Sequence, residues 1–165
     1  MKLIVLGSGN WGTVLAKLFS AKNNVHLWTI NEKEAQFICS HKESPLLSNF
    51  KIPDNMVVEE KFTSSIEPDD IVIVAIPSRK MEELILEFKQ HGYYKFIFVN
   101  ASKGVEHTTL TTTYETVRTH LPEVKFANLS GPTIARELAE GLPAKAILSS
   151  KDVSLLLQLQ EILDN

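Results

Sequence analysis

The chain has 165 residues, of which 44% are hydrophobic and 22% charged, with a formal net charge of −3. This length suits one domain that buries roughly 70% of its unfolded surface. The charge balance holds no polybasic patch to release counterions, so neither nucleic acid nor an anionic membrane is expected as partner, and apolar runs such as 71–76 are far too short to span a bilayer.

Residues 2–6 read as a first strand, an apolar run that leads into Gly7-Ser8-Gly9-Asn10-Trp11-Gly12. This is a G-x-G-x-x-G followed by a helical pattern over 11–22, with Val14, Leu15, Leu18 and Phe19 on one face. In that context each glycine has a role. The first permits the tight turn, the second lets a pyrophosphate approach the backbone, and the third lets the helix pack close to the sheet. The helix N-terminus adds free N–H groups and a positive dipole end.

A second strand is expected over 25–30, and Asn31 is placed to cap a helix running from Glu32 to about His41. Residues 43–55 read as loop, 56–59 as a short strand and 63–68 as a helical turn. Residues 71–76 form an unbroken β-branched run, expected at the centre of a parallel sheet covered on both faces. Pro77 ends it, and a helix follows over 79–90 with Met81, Leu84, Ile85 and Phe88 on one face. Beyond lie a strand at 96–100, a helix at 110–120, a strand at 124–129, a short helix at 134–140, a strand at 144–148 and a helix at 152–163.

Strands alternating with helices predict a Rossmann-like, doubly wound α/β fold, a mostly parallel sheet with helices on both faces. Ligands of such sheets sit outside the carboxyl ends of the strands. The small, polar and Gly/Pro residues of this chain collect at those ends: the glycine turn, Asn31-Glu32, Pro77-Ser78, 100–104 and Ser130-Gly131-Pro132-Thr133. Together they outline one crevice.

Glu32 lies 20 residues beyond Gly12, where an acidic side chain commonly accepts from a ribose 2′-hydroxyl; Asn31 and Glu34 can serve the same purpose. No arginine occupies this corner and Lys33 is its only expected cation, which favours NAD over NADP. Lys103, at a strand end and before a glycine, can aim an ammonium at a phosphate or a carbonyl oxygen. The segment 130–133 offers N–H groups and the Thr133 hydroxyl to an anion or to the nicotinamide end, whereas Arg136 and Glu137 read as a solvated helix face. The five histidines show no metal-ligand spacing, and only His107 stands near the crevice. Cys39, the single cysteine, is expected to be a packed thiol. A chain that begins directly on a strand is expected to carry no leader and to reside in the cytoplasm, where the sequons at Asn100 and Asn128 are accidental matches.

Four segments in order carry a resemblance: Gly7-Ser8-Gly9-Asn10-Trp11-Gly12-Thr13; Pro77-Ser78; Ser102-Lys103-Gly104-Val105-Glu106; and Leu129-Ser130-Gly131-Pro132-Thr133-Ile134-Ala135-Arg136-Glu137, with Gly141-Leu142-Pro143-Ala144 after it. The chain resembles the soluble, bacterial-type NAD(P)-dependent glycerol-3-phosphate dehydrogenases over essentially its whole length. The resemblance implies hydride transfer between sn-glycerol 3-phosphate and a nicotinamide, giving dihydroxyacetone phosphate. It implies that Asn10, Trp11 and Ala135 contact the cofactor, which adds them to the cofactor-binding set read from the strand ends: Gly7, Ser8, Gly9, Gly12, Ile30, Asn31, Glu32, Pro77 and Ser78. Gly131 and Thr133 would line the substrate end, and Lys103 would touch both cofactor and substrate as the catalytic group. Ile30 stands where many bacterial relatives have a basic residue, which favours NAD with NADP possible.

The family also has a helical second domain, with another lysine as general acid/base and most of the substrate phosphate site. Residues 1–165 therefore look like the cofactor domain alone, with little turnover of its own. The last helix carries Val153, Leu155, Leu156, Leu157, Leu159, Ile162 and Leu163 around most of its circumference, so a partner surface is expected: the absent domain or another copy, as in a homodimer. The rival readings are a free-standing, non-catalytic dinucleotide-binding or sensor domain, and a related two-domain dehydrogenase for a different acid or phosphate.

Overall fold

A computed structural model describes residues 1–62, 64–104 and 111–164. The elements follow in the order β1 (Leu3–Leu6), α1 (Asn10–Ser20), β2 (Val25–Thr29), α2 (Glu32–His41), β3 (Val57–Glu60), β4 (Ile71–Val74), α3 (Met81–Gln90), β5 (Ile97–Asn100), α4 (Thr113–His120), β6 (Lys125–Ser130), α5 (Ala135–Ala139), β7 (Ile147–Ser149) and α6 (Val153–Leu163), with a 3-10 turn at Ser78–Lys80 leading into α3. The strands form one sheet in the order β3-β2-β1-β4-β5-β6-β7, all parallel except β7. The fold is the expected Rossmann-like, doubly wound α/β sheet. Its direction of winding reverses between β1 and β4, which sets the crevice at their carboxyl ends.

Every residue of β1 and β4 is buried because the pleat sends alternate side chains into two separate cores. Leu3, Val5, Ile71 and Ile73 meet Val14, Leu15 and Phe19 of α1 and Leu155, Leu159 and Leu163 of α6. Ile4, Leu6, Val72 and Val74 meet Met81, Leu84, Ile85 and Phe88 of α3 and Val117 of α4. Helices thus cover both faces.

Four local expectations differ from the structure. Residues 64–68 form no helix: Ser64 and Ser65 bond the carboxylates of Glu59 and Glu67, and Glu67 N–H donates to Asp70, local bonds that replace a helical ladder. Cys39 is exposed rather than packed, its thiol donating to the Val58 carbonyl at 3.3 Å, because Ala35 and Ile38 take the buried face of α2. The last strand is shorter than 144–148 and antiparallel, since the five-residue α5 is too short to carry the chain back along β6. Helix α4 begins at Thr113, where Thr112 and Glu115 form a capping box; Leu110 lies outside the described residues, as do Thr63, Val105, Glu106 and His107.

A carboxylate cluster ties β2 to β3. Glu59 Oε1 accepts from His26 Nδ1 at 2.8 Å, Trp28 Nε1 at 2.9 Å and Ser64 Oγ at 2.9 Å. Burial alone would raise this carboxyl's pKa; the three donors and the His26 charge together outweigh burial and hold it below its ordinary 4.5. Stability from the lowered carboxyl is fully present above about pH 4.5 and is lost as pH falls through the depressed folded value. Urea midpoints followed from pH 6 to pH 3 are expected to fall less steeply below about pH 4.5 in Glu59→Gln than in the wild type. Parallel acid limbs would remove Glu59 from the linkage.

Candidate functional site

The site begins with what the three glycines of the first turn leave open or close. Gly7 has φ +117°, and a Cβ there would sit 2.5 Å from the Ala75 carbonyl oxygen. A Cβ on Gly12 would sit 1.9 Å from the Gly7 carbonyl oxygen. Both positions are closed to any side chain. At Gly9, the cap of α1, a Cβ would meet nothing within 4 Å. The turn is therefore packed tight on its two flanks and open in the middle, the cradle that a diphosphate requires. No carboxylate occupies the first turn of α1 and no side chain caps it, so no acidic group of that turn competes for its leading N–H groups.

On one side of this turn lies a groove of about 390 Å³. Its apolar walls include Ile30, Leu46, Ile76, Pro77 and Leu84, and Gly7, Ser8 and Gly9 form its floor. Ile30, at the end of β2, is 74% exposed and projects apolar surface into this space. Glu34, Lys61, Lys80, Glu83 and Glu87 line the same groove. Asn31 and Glu32 do not. Asn31 Oδ1 accepts from Lys33 N at 3.0 Å as the cap of α2, and Glu32 bonds Gln36 along the exposed face of that helix at 3.0 Å. The expectation that Lys33 is the only cation of this corner is corrected: Lys61 follows β3 and Lys80 precedes α3, and the strand order brings both to the β2 end. Each is ion-paired, Lys61 with Glu87 and Lys80 with Glu83. The Lys80 hydrogen bond holds the Glu83 carboxyl below the usual carboxylate range.

On the other side, four strand ends are linked by hydrogen bonds. Trp11 Nε1 donates to the Ala101 carbonyl at 2.9 Å. Ser102 Oγ donates to the Val74 carbonyl and accepts from Ile76 N, both at 3.2 Å, so the loop after β5 is held to the end of β4. Lys103 Nζ donates to the Thr133 carbonyl at 2.7 Å and lies 5.5 Å from the centre of the Trp11 ring. Ser78 Oγ stands 3.5 Å from where a Gly104 Cβ would be. Asn100 Nδ2 donates to Asn128 Oδ1 at 3.0 Å, so the two sequon asparagines bond each other across β5 and β6. Gly131 has φ +145° and backs onto the Lys145 carbonyl, and Ala135 opens α5, which packs against the α1 side of the core. Thr133 is buried and, with Trp11, Leu138, Leu142 and Leu156, lines a second groove of about 670 Å³ between α1, α5 and α6.

Of the predicted residues, the structure gathers Gly7, Ser8, Gly9, Ile30 and Pro77 on the first groove, and Trp11, Lys103 and Thr133 in one bonded cluster. Asn10 and Gly12 belong to the turn between them, Ser78 borders Gly104, and Gly131 and Ala135 flank Thr133. Sequence reading missed Lys61, Lys80 and the bridging role of Ser102. The first two come from segments whose neighbourhood only the strand order sets; the third stands in the segment 102–106, where the sequence offers no sign of which strand its hydroxyl will reach.

Fold and turn define the class: a Rossmann-like domain whose glycine-rich first turn opens onto the switch point of the sheet. The family described as NAD-dependent glycerol-3-phosphate dehydrogenase N-terminus matches residues 2–156, and the chain belongs to that family. Glycerol-3-phosphate dehydrogenase (NAD(P)+) of Fusobacterium nucleatum is 31% identical over 169 aligned residues, covering 100% of this chain and 50% of that protein. The enzyme of that name from Corynebacterium glutamicum is 36% identical over 152, covering 90% and 46%. The crystal structure of glycerol-3-phosphate dehydrogenase from Coxiella burnetii superposes with a TM-score of 0.88 at 27% identity, covering 99% of this chain and 51% of that one. The chain spans about half the length of the curated relatives it matches. Among the described residues, no helix is long and apolar enough to cross a membrane.

Gly9→Val is expected to fold, because its Cβ enters open space, and to lose NADH binding, because that space is the cradle. Circular dichroism and a tryptophan-quenching titration check both halves; a folded variant with unchanged NADH affinity would contradict the assignment.

Proposed function

We propose that the chain is the cofactor-binding half of a glycerol-3-phosphate dehydrogenase, which interconverts sn-glycerol 3-phosphate and dihydroxyacetone phosphate. By itself it binds the cofactor and turns over little. The observation that carries this reading is the Lys103 ammonium, held between the Thr133 carbonyl and the ring of Trp11, itself two residues beyond the open Gly9. The residues present fit a nicotinamide dinucleotide: an open glycine for the diphosphate, an uncapped helix start, and an apolar groove at the β2 end. Bound NAD, or NADP in second place, supplies or removes the hydride at C2 of the substrate.

The chain's own groups do the rest. Asn10 and Trp11 would hold the diphosphate, Pro77 and Ser78 at the β4 end would contact the cofactor, and Ala135 would sit against it. Gly131 and Thr133 line the place of the substrate. As a carbonyl oxygen gains negative charge, Lys103 Nζ exchanges its bond to the uncharged Thr133 carbonyl for one to an oxygen that is becoming an anion, which favours the transition state over the ground state. The family resemblance assigns the proton that completes the alcohol to a lysine of the helical second domain, so little turnover is expected of residues 1–165 by themselves. The same reading puts the protein in the cytoplasm and covers the groove between α1, α5 and α6 with the second half of the enzyme or with a second copy in a homodimer.

In an enzyme completed by a second half like that of its relatives, Lys103→Ala is expected to lower kcat/KM by about a hundredfold or more, the usual cost of one preorganised donor. Steady-state reduction of dihydroxyacetone phosphate measures it. Wild-type kinetics would return Lys103 to the surface lysines.

A further inference from the structure

We infer that Glu34, and not Glu32, is the carboxylate that accepts from the adenosine ribose 2′-hydroxyl and excludes a 2′-phosphate; this rests on the cofactor reading above. Thr29, the last residue of β2, has a buried hydroxyl. Its oxygen accepts from Ser8 Oγ at 2.9 Å and from Asn31 N at 3.2 Å, and donates to Glu34 Oε2 at 3.0 Å. A hydroxyl has one proton and two acceptor sites, so this one is saturated. Its proton can go only to Glu34. The carboxylate is thereby fixed in rotation from inside the protein, and through Ser8 it is referenced to the glycine turn itself.

Among the described residues, Glu34 Oε2 has the Thr29 bond and Oε1 has no protein partner, although Glu34 lines the groove that opens from Gly7–Gly9. Glu32 has the opposite character: its side chain is bonded along the exposed face of α2 and lies off the groove. An acceptor oxygen that is oriented, free and on the groove wall suits a ribose hydroxyl.

Charge decides the second half of the inference. The groove is lined by three carboxylates, Glu34, Glu83 and Glu87, and two ammonium groups, Lys61 and Lys80. The lysines are paired with Glu87 and Glu83, so the uncompensated charge of the wall is the single negative charge of Glu34. A ribose hydroxyl gains a charge-assisted bond there. A 2′-phosphate brings about two further negative charges against an unpaired carboxylate, the kind of repulsive element that specificity needs.

Glu34→Gln tests this. Glutamine keeps an acceptor for Thr29 and turns an amide N–H toward the groove, so the variant loses the outward charge and keeps the inner bond. The 165-residue chain and the variant are titrated with NADH and with NADPH by quenching of tryptophan fluorescence. The wild type is expected to favour NADH, and the variant to bind NADH about tenfold more weakly and NADPH no more weakly, so that the preference shrinks about tenfold or more. A wild type that prefers NADPH, or a Gln variant that keeps the wild-type ratio, overturns the inference while leaving cofactor binding intact. A shift at Glu32→Gln in place of Glu34→Gln overturns it in favour of the rival carboxylate. Wild-type chain that binds neither nucleotide overturns the cofactor reading and this inference with it.

Discussion

Contact between backbone and backbone at the first turn is the constraint on which the rest depends. With no Cβ at Gly12, α1 rests on the Gly7 carbonyl; with none at Gly7, the turn rests on the end of β4 at Ala75. A hypothetical Cβ 1.9 Å or 2.5 Å from a carbonyl oxygen is a clash that no rotamer relieves. These two contacts draw helix, turn and β4 together at the point where the sheet reverses its winding, and they leave Gly9 facing outward. Rigidity at the flanks and vacancy in the middle come from one packing arrangement.

Around that point the chain is organised by electrostatics as much as by packing. On the β5–β6 side a cation stands on an aromatic face and a carbonyl, at a place suited to developing negative charge. On the β2 side each of the two lysines of the groove is neutralised by a neighbour in α3, and the one carboxylate left over is held by Thr29. The two ends of the crevice thus differ in sign. A dinucleotide with a neutral ribose at one end and a reacting centre at the other matches that polarity better than a ligand charged at both ends.

Much of this was legible in the chain. Strands buried on two faces advertise themselves as unbroken apolar runs, as residues 71–74 do, and a glycine turn directly after such a run specifies both the fold and the strand ends where its crevice opens. Less legible was anything that depends on which segments become neighbours. Lys61 and Lys80 are 19 residues apart and reach one groove only because β3 and β4 flank β2 and β1 in the sheet. The difference between Glu32 and Glu34 is one of direction around a helix, settled by a hydroxyl five residues upstream of Glu34. Cys39 stands one residue from the buried Ile38 and faces out for the same reason of helical period. Helix α6 shows the limit of burial patterns: Leu155, Leu159 and Leu163 join the core, whereas Val153 and Leu157 are 70% and 65% exposed, a surplus the sheet cannot cover.

The two tryptophans provide the most direct measurement. The Trp11 indole N–H is bonded to the Ala101 carbonyl at the centre of the crevice, and the Trp28 indole N–H is bonded to Glu59 on the far face of β2. In proton–nitrogen correlation spectra of the chain titrated with NADH, the Trp11 indole and the amides of Gly9, Asn10 and Lys103 are expected to shift and saturate together, while the Trp28 indole stays in place. Saturable shifts confined to residues away from the glycine turn, or no shifts at all, would contradict the claim that this crevice is built for a dinucleotide.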